Sequence, residues 1–330
     1  MPDKSINVTA VGNAIVDVIS RTTEEFLSIN GIEKGTMNLI DEGRSNVLYE
    51  KMEPGIEMSG GSAANTIVGL TQLGGRGAFI GKVKEDQFGR TFRRDITASG
   101  VEFETAPNVE GPRTASCYVL VTPDAQRSMN TYLGASTDLG PEDINEDQIR
   151  RSQVVYLEGY LWDPPRAKDA FVKAAKIAHD QGSQVSLTLS DPFCVDRHRE
   201  EFRDLVERHV DILFANEAEI ISLYQARGFD EALQAVKGNC QVVALTRGAE
   251  GSVVLSQEAI HVLDPEPVDV VIDTTGAGDL YAAGFLYGYT HRKPLGDCGR
   301  LGGIAASEII SQYGARPKTD LKALAAAKFG

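Results

Sequence analysis

The sequence predicts an α/β fold, a mostly parallel sheet with helices on both faces plus a small β-sheet lid. Three observations lead there. Apolar runs of strand length alternate with longer segments of helical period. Each strand-like run is followed within a few residues by a helix or turn signal. Two regions, 113–133 and 16–40, break that rhythm. Alternation of this kind implies right-handed crossovers, so the strands run parallel and are covered on both sides.

Taken in order, Ile6–Val11 is a strand, 61–73 a helix, 78–83 a strand and 88–98 a helix. Short buried-type strands are expected at 154–157, 184–189, 212–214 and 242–245, with helices at 167–179, 217–225 and 230–236. The segment 113–133 alternates apolar and polar residues around Pro123-Asp124-Ala125, the pattern of an antiparallel hairpin with one face exposed. The segment 16–40 mixes strand-like pieces with Gly31 and Gly35. Together they are expected to build the lid, from about 16–50 and 104–135. A prior of about 150 residues per domain suggests two domains, or one large α/β domain with an appendage. With no linker, repeat or compositional boundary, residues 1–330 are expected to form one domain with the lid inserted in it.

Charge narrows the partners. Lys plus Arg number 33 against 47 Asp plus Glu, a formal net charge of −14. Binding to a nucleic-acid polymer or an anionic membrane surface, which relies on basic residues, is therefore not expected. No secretory signal is visible, and the longest uncharged stretch, 58–75, holds five glycines with Ser, Asn, Thr and Gln, so it would insert poorly into a bilayer. Cys117, Cys194, Cys240 and Cys298 are widely spaced with no C-x-x-C pair, which points to free thiols and a cytoplasmic location. Glycine is in excess, 33 of 330 residues against a usual level of about 7%.

Those glycines gather in candidate sites. The run Val270-Val271-Ile272-Asp273-Thr274-Thr275-Gly276-Ala277-Gly278-Asp279 suggests a buried strand, a sharp turn and a helix starting at or near Asp279. Unpaired N–H groups at such a helix start, backed by the dipole, make an anion hole from Gly276, Ala277 and Gly278. A carboxylate at the rim would repel the anion. Asp279 is better explained as a base taking a proton from a hydroxyl that attacks it, kept ionised by the helix N-terminus; a plain helix cap is the alternative. Ser59-Gly60-Gly61-Ser62-Ala63-Ala64-Asn65 also opens a helix, where Gly60 and Gly61 allow close backbone approach and Asn65 reaches the same site, unless it is only a turn.

After the first strand, Asn13 and Asp17 are suited to adjacent sugar hydroxyls. Asn216 and Glu219 are spaced to hold a hydrated Mg²⁺ through water, or simply to cap a helix. The loop from Thr246 through Gly248 to Gly251 is either a hairpin turn or a phosphate contact. Other chemistries lose their supports. No G-x-G-x-x-G follows a strand, and the nearest approach to a P-loop, at Gly81-Lys82, has Arg76 and Val83 at positions that need Gly and Ser or Thr. The five histidines show no metal-ligand spacing, and no G-x-S-x-G occurs.

The early Gly-Gly-Ser-Ala-Ala-Asn, the Asn-x-x-Glu and the late Asp-Thr-Thr-Gly-Ala-Gly-Asp, in that order over essentially the whole chain, resemble the ribokinase-like (PfkB-type) carbohydrate and nucleoside kinases. Within that family the stretches from Gly12-Asn13 to Asp17, 126–131 and 189–193 are similar to those of adenosine kinases. The resemblance implies transfer of the ATP γ-phosphoryl group to a primary hydroxyl, the 5′-OH of adenosine for a nucleoside. It makes Asp279 the base, Gly276–Gly278 the anion hole and Arg127 a lid residue neutralising the phosphoryl group. Asn13, Asp17, Gly60, Gly61 and Asn65 would grip the ribose. Asn216, Thr246, Gly248 and Gly251 would line the ATP channel, Asn216 and Glu219 would organise Mg²⁺, and a monovalent cation such as K⁺ would lie near Asp273 and Thr275. The base pocket would use Met129, Thr131 and Leu133 of the lid, with Tyr160 or Phe193. Thr275 stands where adenosine kinases commonly carry Asn and sugar kinases Thr. A kinase of ribose, fructose or 2-keto-3-deoxygluconate is the alternative, and a non-catalytic nucleoside sensor a third; the protein would be a monomer or homodimer.

Overall fold

The computed structural model describes residues 4–124 and 126–329. The amino-terminal half contributes strands β1 (Ile6–Val11), β2 (Ile15–Arg21), β3 (Met37–Leu39), β4 (Ile56–Gly60), β5 (Gly77–Ile80), β6 (Glu102–Phe103), β7 (Ala115–Val121) and β8 (Arg127–Tyr132). Between them lie helices α1 (Glu24–Ile29), α2 (Glu42–Lys51), α3 (Ser62–Gln72) and α4 (Gln87–Ala98). The second half is more regular: α5 (Glu146–Arg151), β9 (Ser152–Glu158), α6 (Pro165–Asp180), β10 (Gln184–Thr188), α7 (Pro192–His209), β11 (Ile212–Asn216), α8 (Glu217–Tyr224), α9 (Phe229–Val236) and β12 (Val242–Thr246). An antiparallel extension, β13 (Ser252–Ser256) and β14 (Ile260–Leu263), precedes α10 (Ala277–Thr290), α11 (Leu295–Ile310) and α12 (Leu321–Phe329).

The large sheet runs β14-β13-β12-β11-β10-β9-β1-β5-β6 and is parallel from β12 to β6. Its two faces bury separate apolar layers. Val8, Ala10, Tyr156 and Phe214 face α3, α10 and α11, while Val11, Val155, Leu187 and Leu213 face α6, α7 and α8. The chain leaves β1 for β5 on one side and later returns to β9 on the other, so the strand order reverses at β1. A crevice opens outside the carboxyl ends of strands at such a reversal, and open α/β sheets bind ligands there. Among the described residues no helix is long and apolar enough to cross a membrane. All four thiols are free and buried, and burial pushes each up to about 12.

The lid is a five-stranded sheet, β3-β8-β7-β2-β4. β7 and β8 pair antiparallel as expected, from Ser116↔Tyr132 to Val121↔Arg127, although Ala125 of the expected turn lies outside the described residues. Besides the segments expected from the sequence, β4 completes one edge by pairing with β2. β7 is buried along nearly its whole length because it is central, with Tyr118 packed beneath α2, where its hydroxyl meets Ser45 Oγ at 3.1 Å.

One expected strand is absent. Residues 270–272 form no strand, and Val270, Val271 and Ile272 are 65%, 57% and 41% exposed. The physical reason lies upstream. Pro265 and Pro267 lack the N–H groups a strand needs to continue from β14, and the run instead docks on α11, whose Ile310 carbonyl accepts from Ile272 N and Asp273 N.

Candidate active site

Two helix starts meet in the crevice. α10 begins behind Gly276, whose φ of +81° is the left-handed conformation that glycine adopts without penalty. No side chain caps it, and a methyl placed on Gly278 would meet nothing within 4 Å, so the first N–H groups face open space. Asp279 sits one turn in, part-buried. α3 begins behind Gly61, also at positive φ (+94°), because a side chain there would overlap the Asn13 carbonyl. The two helices pack so that Ser62 Oγ donates to Asp279 Oδ1 at 2.6 Å and Asn65 Nδ2 to Oδ2 at 2.9 Å.

Asp279 is therefore more than a helix cap. Desolvation pushes its pKa upward, and the hydrogen bonds from Ser62 and Asn65 and the nearby Arg316 oppose the rise. The net direction is the reverse of a carboxyl held ionised by the helix dipole, since burial in the crevice outweighs it. A carboxylate raised in this way is, when ionised, a stronger proton acceptor than a free one. Asn65 Oδ1 is buried with no partner among the described residues, so its acceptor capacity is unused within the chain.

Asp17 comes from β2 of the lid and lies against Gly60, where any side chain would overlap its carboxylate. Burial raises its pKa to about 6 against the pull of Arg316 and Arg127. Asn13 is placed differently from expectation. It is almost fully buried and bound to Glu158, with its backbone N–H at 3.3 Å and Nδ2 at 2.6 Å from Oε1, while Ala63 N donates to Oε2 at 2.8 Å. Glu158 thus joins the carboxyl ends of β1 and β9 to the start of α3, and burial raises its pKa to about 7. Its position was foreshadowed by a carboxylate ending an otherwise apolar buried strand, just where sheet ends build sites.

Arg127 reaches from β8 to the loop before the anion hole and pairs with Asp273 at 3.0 Å, both side chains under a tenth exposed, its guanidinium over the Tyr313 ring. Asp273 also accepts from Thr275 N and Gly314 N. Asp273 Oδ1 thus accepts one bond and Oδ2 two, the latter including the Arg127 guanidinium.

Farther along the sheet, Asn216 and Thr246 are register partners at the ends of β11 and β12. Asn216 and Glu219 form a reciprocal capping box, with Glu219 N on Asn216 Oδ1 at 2.8 Å, Asn216 N on Glu219 Oε2 at 2.9 Å and Asn216 Nδ2 on Oε1 at 2.6 Å. Each carboxylate oxygen accepts one bond and keeps lone pairs free, so the pair still fits a hydrated Mg²⁺ held through water. Gly248, at φ +56°, is exposed with open space around it. At Gly251, φ +80°, a methyl would strike the Leu263 carbonyl, so the turn itself requires glycine there.

The expected base pocket is partly assembled. Across the lid, Ile56, Ile19, Val119, Met129 and Met37 form one transverse row, and Met58, Asp17, Cys117, Thr131 and Leu39 the next. Paired residues share a face, so Met129 and Thr131 lie on the face that carries Asp17. Leu133 lies beyond β8, at the cap of a 3₁₀ turn. Tyr160 is part-buried after β9, and its N–H donates to Ser190 Oγ at 3.2 Å. Phe193 projects from the first turn of α7 and is 74% exposed.

A model of the pfkB family of carbohydrate kinases matches residues 51–321. An ATP-dependent ribose-1-phosphate kinase from Halopiger xanaduensis is 33% identical over 238 residues, 70% of this chain and 73% of that protein. Among solved structures, a probable sugar kinase from Rhizobium etli matches with a TM-score of 0.92 at 49% identity, covering 98% of this chain and 99% of that one. Adenosine kinase from Sinorhizobium meliloti matches with a TM-score of 0.91 at 50% identity, covering 99% and 100%.

Proposed function

The chain belongs to the pfkB family of carbohydrate kinases, ATP-dependent phosphotransferases that act on an alcohol, and from that premise we propose that it phosphorylates the 5′-hydroxyl of a nucleoside, adenosine, to give AMP. The observation that carries the substrate class is the lid face. A row of aliphatic and thioether side chains runs beside Asp17, which suits a purine lying flat on the lid with its ribose turned toward the carboxylate. A free sugar would leave that apolar row uncovered. The likeness to the Sinorhizobium meliloti adenosine kinase supports the same reading.

In this reading Asp17 accepts from ribose hydroxyls, the free Asn65 oxygen accepts another, and Gly60 and Gly61 give main-chain contact. Asp279 takes the proton from the attacking 5′-oxygen as that oxygen bonds to the γ-phosphorus. The N–H groups at the start of α10 hold the equatorial oxygens, and ADP departs toward Thr246 and Gly248. Mg²⁺, held through water by Asn216 and Glu219, would neutralise phosphate charge. Lid closure excludes water that would otherwise be phosphorylated. The reaction takes place in the cytoplasm.

A kinase of a free sugar is the second reading, favoured by Thr275 and by the ribose-1-phosphate kinase among the relatives. The deciding measurement is ADP release with adenosine, inosine, ribose, fructose and 2-keto-3-deoxygluconate. Adenosine should give the highest kcat/KM; turnover of a free sugar with none of adenosine would overturn the nucleoside assignment.

The site also predicts a pH profile. Asp279 must be deprotonated to act, and Asp17 must be charged to accept hydrogen bonds from two hydroxyls. Both are raised chiefly by burial, Asp17 to about 6 with the Asp279 charge adding to its rise. Activity should therefore fall as pH drops, with an acid limb of kcat/KM displaced above the ordinary carboxylate range to near 6 and belonging to the pair together. A limb near 4 would contradict the buried, coupled geometry.

A further inference from the structure

A part-buried arginine lies beneath this site, on a segment that no motif singled out. Tyr313, Gly314, Ala315 and Arg316 follow α11 and touch each working part in turn. The Tyr313 ring lies under Arg127, Gly314 N donates to Asp273, and Ala315 packs so closely on Gly276 that a methyl there would overlap it. Arg316 then turns inward. Its Nε and Nη2 donate to the Ser59 carbonyl at 3.2 and 2.9 Å, Nη2 also to Ser59 Oγ at 3.0 Å, and Nη1 to the Ala64 carbonyl at 2.9 Å.

Ser59 is the next-to-last residue of β4, and Ala64 lies in the first turn of α3. One rigid guanidinium thus spans the junction at which the lid joins the main sheet, and Asp95 of α4 holds the Ser59 N–H from the other side at 2.7 Å. Between the two clamped carbonyls lie Gly60 and Gly61, whose backbones approach Asp17 and Asn13, and Ser62, which donates to Asp279. Three carboxylates face the guanidinium, Asp17 from β2, Asp95 from α4 and Asp279 from α10. Burial lowers its pKa only to about 10, so it stays charged at neutral pH.

We propose that Arg316 is a positioning residue for phosphoryl transfer, fixing the 59–64 junction and through it the alignment of the acceptor hydroxyl with Asp279. The proposal rests on the reading of this crevice as a kinase site. It acts through Ser59 and Ala64 and touches no reacting atom. The nucleotide-side residues of that reading, Thr246 and Gly248, lie at and just beyond the end of β12, four strands from β1, so Arg316 bears on the acceptor and on the proton transfer more than on ATP binding.

Two variants of the full chain test it, with amide hydrogen exchange measured beside steady-state kinetics. Arg316→Gln should raise the acceptor KM and lower kcat, each by roughly tenfold, with the ATP KM within about twofold, since a misplacement of about 1 Å can cost about 10²-fold. Exchange should speed up locally over 59–66. Arg316→Lys keeps the charge but cannot reach both carbonyls, so it should recover only part of the acceptor KM. A folded Arg316→Gln protein with unchanged constants and exchange would overturn the proposal. So would a loss of active fraction with both KM values unchanged and exchange faster throughout, the signature of a purely structural role. If the wild-type chain phosphorylates no acceptor, the kinase reading fails first, while exchange at 59–66 still decides whether Arg316 holds the junction.

Discussion

Asp279→Asn is expected to lower kcat by about 10²–10⁴-fold, the range for loss of a positioned general base, with acceptor and ATP affinity little changed. The substitution is nearly isosteric. Ser62 can keep its contact by turning its hydroxyl to accept from the new amide, while Asn65 Nδ2 still donates to the remaining oxygen, so the packing of α3 against α10 should persist. What disappears is the lone pair that receives the proton. Removing a buried negative charge from beneath an anion site also relieves repulsion of the phosphates, so the ATP KM should if anything fall. Steady-state kinetics combined with calorimetric binding of the acceptor separates these effects. Unchanged kcat would mean that Asp279 only caps and braces the helices.

The second large effect is expected at Arg127. Arginines that neutralise a transferring phosphoryl group contribute about 10³–10⁵-fold elsewhere, and a single electrostatic donor about 10²–10³-fold. The lower range applies here, because Arg127 starts paired with Asp273 and must exchange that partner for the phosphoryl group. Arg127→Gln should therefore lower kcat by about 10²–10³-fold. The same substitution leaves Asp273 buried without its cation, at a cost of order 3–5 kcal/mol when one partner of a buried pair is removed. Thr275 N and Gly314 N still bond Asp273 and should soften that loss. Chemical denaturation reads the stability term and single-turnover kinetics the chemical one. A destabilised variant with normal single-turnover rate would reduce Arg127 to a strut between lid and loop.

The strand and helix pattern was legible because its causes are local. Apolar runs bounded by turn residues specify β1, β9, β10, β11 and β12, and the amphipathic period of 88–98 specifies α4 within a residue. The glycine turns were legible for the same reason, since glycine takes positive φ without penalty and Gly61 and Gly276 both adopt it. The strand expected at 270–272 failed on a non-local point. An apolar run becomes a strand only beside a free sheet edge, and two prolines carried this one away to α11.

The glycine and acid motifs by themselves pointed to the two helix starts that meet in the crevice and to Asp279 as the candidate base. Only the tertiary structure decided how those parts are held. Glu158 ties Asn13 to the start of α3, Arg127 is paired with Asp273, and Arg316, near the end of the chain, grips carbonyls more than 250 residues earlier. Backbone turns and capping are written in a few adjacent residues, and so they can be read there. Charges brought together by a sheet that reverses direction at β1 have no such local record, because their partners are chosen by topology and by the requirement that a buried charge find a partner.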